Sequence, residues 1–179
     1  MDYRSAASLI KDAVPRETAT WADLGAGTGT FTLGLASLLG AGSRVIAVDI
    51  DGAALAELEH AAGSAGLVSE VLTVAADFRQ PLDLPRLDGL MLANALHFVP
   101  SGEQGAVLSR LVNHLRPGGR VIIVDYDGRR ANAWVPFPVS SRRLSELLPE
   151  LGLEAPRIVG RRPSRYGGSI YAASSAVSG

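Results

Sequence analysis

The 179-residue chain has no cysteine. That absence excludes a disulfide framework, a thiolate metal site and any cysteine nucleophile, and it fits a reducing, cytoplasmic setting. Lysine is nearly missing as well: 16 of the 17 basic residues are arginine, a bias that points to a GC-rich coding sequence and to no mechanism. No apolar run reaches the ~18 residues that a membrane span needs. Asp2, Arg4, Lys11 and Asp12 stand where a secretory leader would be continuously apolar, so neither membrane insertion nor export is expected. Charged residues make up only 20% of the chain against 47% hydrophobic ones, which excludes a disordered polyelectrolyte.

What is present reads as one globular domain, 1–179, since a domain takes roughly 100 to 200 residues. The net charge of −1 hides an asymmetry. Residues 1–100 carry 6 basic and 12 acidic side chains (−6), and residues 101–179 carry 11 and 6 (+5). The basic excess lies in Arg129, Arg130, Arg142, Arg143 and the stretch from Arg157 to Arg165. Dispersed arginines on a near-neutral chain fit a solvated surface better than a nucleic-acid footprint.

Two hydrophobic periods alternate along the chain. Short apolar runs at Thr20–Leu24, Arg44–Asp49, Glu70–Val74, Gly89–Asn94, Arg120–Asp125, Pro156–Gly160 and Ser169–Ala173 predict seven strands, with helical stretches between them. Ser101-Gly-Glu-Gln104 has the form of a capping box, with Leu108, Leu111, Val112 and Leu115 as the buried stripe and Pro117-Gly118-Gly119 as its stop. Leu144, Leu147, Leu148 and Leu151 repeat that spacing, with Gly152 as C-cap. Such alternation predicts a three-layer α/β fold, a mostly parallel sheet with helices on both faces. After Gly152 two strands follow with no helix between them, so the last strand should be antiparallel. Residues 1–15 read as a leading helix (Ala6, Leu9, Ile10, Ala13) and residues 174–179 as a frayed tail.

The first strand runs directly into Asp23-Leu24-Gly25-Ala26-Gly27-Thr28-Gly29, after which a helical pattern opens at once. Glycines at a strand-to-helix turn let a ligand approach bare backbone beside a helix N-terminus. The spacing 25, 27, 29 is not that of a dinucleotide fingerprint, and a carboxylate at Asp23 would repel a pyrophosphate. A ligand with a cationic amino group suits it better, which favours S-adenosylmethionine over NAD. Asp49 ends the second strand where a carboxylate can accept from both ribose hydroxyls, and Asp51 suits the N-cap of the next helix.

With these segments the chain resembles the class I S-adenosylmethionine-dependent methyltransferases. The likeness is carried by Asp23 to Gly29, by Val45 to Asp51 with Ile50, and by Leu115-Arg116-Pro117-Gly118-Gly119-Arg120-Val121. It implies a Rossmann-like sheet of seven strands with an antiparallel last one, and S-adenosylmethionine as cofactor. It also implies that Asp77 binds the adenine amino group with Phe78 beside the ring.

The family's active site follows the fourth strand, here Asn94-Ala95-Leu96-His97-Phe98. The Pro-Pro-Tyr type of motif used on exocyclic amines is missing. His97 can be read as a general base or as a structural histidine, and Asn94 as a positioner of the cofactor's methionine end. The long segment from Asp125 to Val139 places Tyr126, Trp134 and Phe137 as candidate acceptor walls. A small-molecule acceptor is therefore expected, with a homodimer left open and no metal site. RNA or protein methylation, an NAD-dependent oxidoreductase and a non-catalytic cofactor-binding subunit are the alternatives.

Overall fold

The computed structural model describes residues 1–128, 130–164 and 167–178. Arg129, Arg165, Tyr166 and Gly179, which belong to the basic clusters, the connection between the last two strands and the expected tail, lie outside the described residues.

The expected strands form in the expected order: β1 (Thr20–Leu24), β2 (Arg44–Asp49), β3 (Glu70–Ala75), β4 (Leu87–Ala93), β5 (Leu115–Asp127), β6 (Arg157–Pro163) and β7 (Ser169–Ala176). They make one sheet in the order β3-β2-β1-β4-β5-β7-β6. The first five strands are parallel, and β7 runs antiparallel to both β5 and β6. Helices α1 (Tyr3–Ile10), α2 (Thr30–Ala36) and α3 (Gly52–Ser64) cover one face, where Ala6, Ile10, Phe31 and Leu35 meet Trp21, Val45, Met91 and Val124. Helices α4 (Gln104–Val112) and α5 (Ser141–Leu147) cover the other, packing Leu108, Leu111, Leu144 and Leu147 on Leu24, Leu90, Leu92 and Ile123. The fold is the three-layer α/β one that the alternation of periods predicts, and its sheet is the Rossmann-like one that the resemblance implies.

Four local readings need correction. The Ser101 capping box does not form: α4 begins at Gln104 after a turn from Pro100, and the Gln104 side chain donates back to the Val99 carbonyl at 3.1 Å. Leu115 is the first residue of β5, not the last of a helix, and Pro117-Gly118-Gly119 forms an irregularity inside that strand, where the pairing to β4 shifts between Leu87 and Gly89. Residues 76–86 contain no helix, in keeping with Pro81 and Pro85, which remove backbone donors. Residues 174–178 are not frayed: they continue β7 to Ala176, the Val177 amide donates to Gly119 at 2.9 Å and that of Ser178 to Gly152 at 3.1 Å. Gly152 itself is left-handed after the 3-10 turn that follows α5, as its C-cap role requires. Among the described residues no helix is long and apolar enough to cross a membrane.

The switch between the two halves of the sheet rests on a tight contact. Gly89 of β4 lies beneath the fully buried Trp21 of β1, and a Cβ there would sit 2.5 Å from three carbons of the indole ring. Gly89→Ala is expected to destabilise the fold by about 1 to 3 kcal/mol, the scale of core overpacking. Urea denaturation reads this directly, and an unchanged midpoint would mean that Trp21 can move aside.

Candidate active site

The chain passes from β3 back across the sheet to β4 beside β1, and such a reversal opens a crevice at the carboxyl ends of the strands. The turn after β1 is tied to the end of β2 by three successive amides. Those of Gly25 and Ala26 donate to the Val48 carbonyl at 2.8 and 3.0 Å, and that of Gly27 donates to Asp49 Oδ2 at 2.7 Å. Gly25 has φ 79°, and a Cβ on it would come within 2.6 Å of the Ala95 methyl, so only glycine lets the β1 and β4 turns meet. Gly29 is the N-cap of α2.

Two adjoining cavities occupy this crevice. The larger, about 590 Å³, is lined by Asp23, Gly25, Ala26, Gly27, Thr28, Asp49, Asn94 and Tyr126, together with Phe98 and residues of the β6–β7 hairpin. The smaller, about 290 Å³, is lined by Ile50, Asp77, Phe78 and Arg79 and shares Gly25, Asp49, Asn94 and Phe98 with the first. The structure thus gathers ten of the eleven candidate cofactor residues and Tyr126 around one crevice. Gly29 lines neither cavity.

Each acid of the site has a distinct environment. Asp23 is 1% exposed, and its Oδ2 accepts from the Thr32 hydroxyl at 2.6 Å while its Oδ1 has no protein partner. Burial pushes its pKa up to about 7 against the opposing Thr32 hydrogen bond, and the nearby Asp49 adds to the rise. Asn94, at φ 55°, is the non-glycine residue with positive φ among those described, and its Oδ1 is likewise buried and unpaired. Asp23 and Asn94 therefore offer two unused acceptors to a hydrogen-bond-donating ligand group. Asp49 spends one lone pair of Oδ2 on Gly27 and one of Oδ1 on the Asp51 amide at 2.9 Å, which leaves each oxygen free to accept one hydroxyl. Asp51 caps α3 through the amides of Ala53 and Ala54.

Asp77 differs. The Arg79 guanidinium and amide bind both of its oxygens at 2.8 to 3.1 Å, and that guanidinium holds its carboxyl below the usual range. An adenine amino group reaches this carboxylate only if Arg79 swings away. Ile50 and Phe98 are large apolar side chains left 71% and 50% exposed at the crevice, unusual for residues of their type and suited to covering by a flat ring.

His97 lies outside both cavities. Its ring is buried, with Nδ1 2.9 Å from Asp125 Oδ1, and lies tilted against Phe98 at 4.6 Å and Tyr126 at 6.0 Å between centroids. Burial raises the pKa of Asp125, with His97 opposing the rise. Trp134 and Phe137 also line neither cavity: Trp134 is 81% exposed on a turn closed by Asn132, and the Phe137 amide donates to the His97 carbonyl at 3.0 Å. Sequence reasoning gave Phe98 no role of its own and missed the hairpin residues Arg162, Pro163, Ser164 and Ile170. A signal for the hairpin existed: with β7 antiparallel to β5, the β6–β7 turn must sit at the carboxyl edge. Among the described residues no group of three or more His, Asp or Glu could hold a metal ion.

Residues 22–119, more than half of the chain, match the methyltransferase domain family. The chain belongs to that family, and the resemblance to class I S-adenosylmethionine-dependent methyltransferases drawn from its three motifs holds. Solved structures agree in fold. The 1,6-didemethyltoxoflavin N1-methyltransferase of Burkholderia thailandensis, with S-adenosylhomocysteine bound, matches 99% of this chain and 78% of its own at 24% identity and a TM-score of 0.74. The magnesium protoporphyrin IX methyltransferase of Synechocystis, with S-adenosylmethionine bound, matches 97% and 76% at 19% identity and a TM-score of 0.73. An S-adenosylmethionine-dependent methyltransferase of Clostridium acetobutylicum matches 100% and 93% at 15% identity and a TM-score of 0.71. No curated protein matches the sequence.

A carboxyl whose pKa is raised on folding holds its proton more tightly in the native state, so its contribution to stability declines as the pH climbs from about 4 to about 7. Asp23→Asn lacks this decline. Relative to the variant, the wild type should lose roughly 2 to 3 kcal/mol of stability between about pH 5 and pH 8. Parallel stability curves for the two proteins would show that Asp23 is already ionised when buried.

Proposed function

We propose that this protein transfers the methyl group of S-adenosylmethionine to a small molecule in the cytoplasm, by alignment in a dry cavity. The observation that carries the reading is the pair of buried, unpaired acceptors, Asp23 Oδ1 and Asn94 Oδ1, beside the glycine turn. They suit the amino group at the methionine end. Asp49 suits the ribose hydroxyls, and Ile50, Phe78 and Phe98 suit the faces of the adenine ring. The bound sulfonium supplies a methyl group that is already activated. What remains for the chain is to orient the two reactants and keep water out.

Tyr126, Ile170 and Phe98 wall the rest of the larger cavity, whose size suits a compact acceptor. The structural neighbours named for small-molecule acceptors support this over RNA or protein methylation. The acidic Asp23 and the family match both count against an NAD-dependent oxidoreductase. His97 acts in this reading as a strut: its buried pair with Asp125 holds the turn that presents Phe98.

Binding of a cationic amine to Asp23 requires the carboxylate, so cofactor affinity should follow Asp23's titration. Calorimetry with S-adenosylhomocysteine is expected to find affinity falling about tenfold per pH unit below about pH 7, and Asp23→Asn should bind weakly with no such slope. A flat wild-type profile would remove Asp23 from the amine site. For His97→Ala, a loss of about 3 kcal/mol of stability is expected, since the buried Asp125 then keeps only the Tyr126 amide at 2.8 Å. Turnover per folded molecule should change little, and a drop of about 100-fold in fully folded protein would make His97 the base.

A further inference from the structure

The larger cavity is electrically polar. Its carboxylates, Asp23 and Asp49, lie at the ends of β1 and β2, while Arg162 lies at its opposite end on β6. Register fixes the side from which Arg162 acts. Arg162 pairs with Ile170, and Ile170 with Tyr126, so the three share one face of the sheet. Ile170 and Tyr126 both line the cavity, so the guanidinium leaves the sheet on the cavity's side. Its neighbour Arg161 leaves on the other side and is spent on Asp127 at 2.7 Å and on the Ser169 hydroxyl at 2.9 Å. Among the described residues no carboxylate pairs with Arg162.

We propose that the methyl acceptor carries an anionic group, a carboxylate or a phosphate, that Arg162 binds at the β6 end of the cavity. The inference rests on the methyltransferase reading and narrows its substrate class. Arginine offers paired donors in a fork that matches both oxyanions. The cofactor's own carboxylate is the competing anion, and distance disfavours it. From β1, whose turn faces the methionine end, to β6 is four strand steps, about 19 Å at the usual strand spacing, far more than an arginine side chain spans. An acceptor filling the space over Tyr126 and Ile170 has its far end beside Arg162.

The test uses a metabolite extract separated by anion exchange at neutral pH before reaction, with each fraction offered to the enzyme and methyl-labelled S-adenosylmethionine. Label is expected from the retained, anionic fraction. Arg162→Gln should raise the amount of that fraction needed for half-maximal labelling by about tenfold or more, the loss of one charge-assisted contact. Arg162→Lys should recover part of it, and both variants should keep wild-type affinity for S-adenosylhomocysteine. Label confined to the unretained fraction, or none from the retained one, overturns the proposal, as does an Arg162→Gln variant with an unchanged half-saturation point. A variant with weakened S-adenosylhomocysteine binding assigns Arg162 to the cofactor's carboxylate instead and equally overturns it. A wild-type protein that binds no S-adenosylhomocysteine sinks the methyltransferase reading itself, and calorimetry detects that before any acceptor is added.

Discussion

The hydrogen bond from the Gly27 amide to Asp49 is the contact on which the site depends. It joins the turn after β1 to the end of β2, and with the two bonds to Val48 it holds three consecutive amides of a turn that glycine would otherwise leave loose. The same carboxylate then faces the crevice with one lone pair to spare on each oxygen. One side chain thus preorganises the binding loop and presents acceptors to a ligand, so the loop need not be ordered at the moment of binding. Buried beside it, Asp23 adds a second acid whose desolvation costs stability, and in the proposed function a cationic amine offsets that cost.

Much of this was legible in the chain itself, because the signals are local. The strand-turn-helix sequence around Gly25 and the acidic end of β2 depend on residues a few positions apart, and the structure brings them together at the reversal of strand order. The antiparallel β7 followed from a missing helix between two strand runs. Local signals failed where a distant partner decided the outcome. Leu115 fits a helical stripe by spacing, yet β4 claims it through Leu87. The tail has no strand-like excess of apolar residues, yet Gly119 and Gly152 pair with it.

The acceptor side shows the same limit more sharply. Trp134 and Phe137 are conspicuous in sequence because aromatic residues on a long connecting segment suggest a wall. In the fold the Asn132 turn aims Trp134 at solvent, and Phe137 is tethered by its amide to the His97 carbonyl. His97 was ambiguous for a related reason: a titratable residue after β4 is chemically suited to catalysis, but its environment comes from Asp125, 28 residues away on β5. Only the register of β5 discloses that partner.

Strands β5, β6 and β7 themselves supply one wall of the larger cavity, through Tyr126, Arg162 and Ile170. The antiparallel order of β5, β7 and β6 makes this feasible. A parallel seventh strand would have ended its hairpin at the amino edge, away from the crevice. Reversing β7 brings the hairpin's end back over the carboxyl edge and sets Ile170 and Arg162 in line with Tyr126. Alternation along β6 then separates the two adjacent arginines: Arg161 stabilises the hairpin through Asp127 on one face, and Arg162 is left to the cavity on the other. Two arginines of the basic C-terminal half are in this way divided by strand geometry into a structural charge and a charge that faces the cavity.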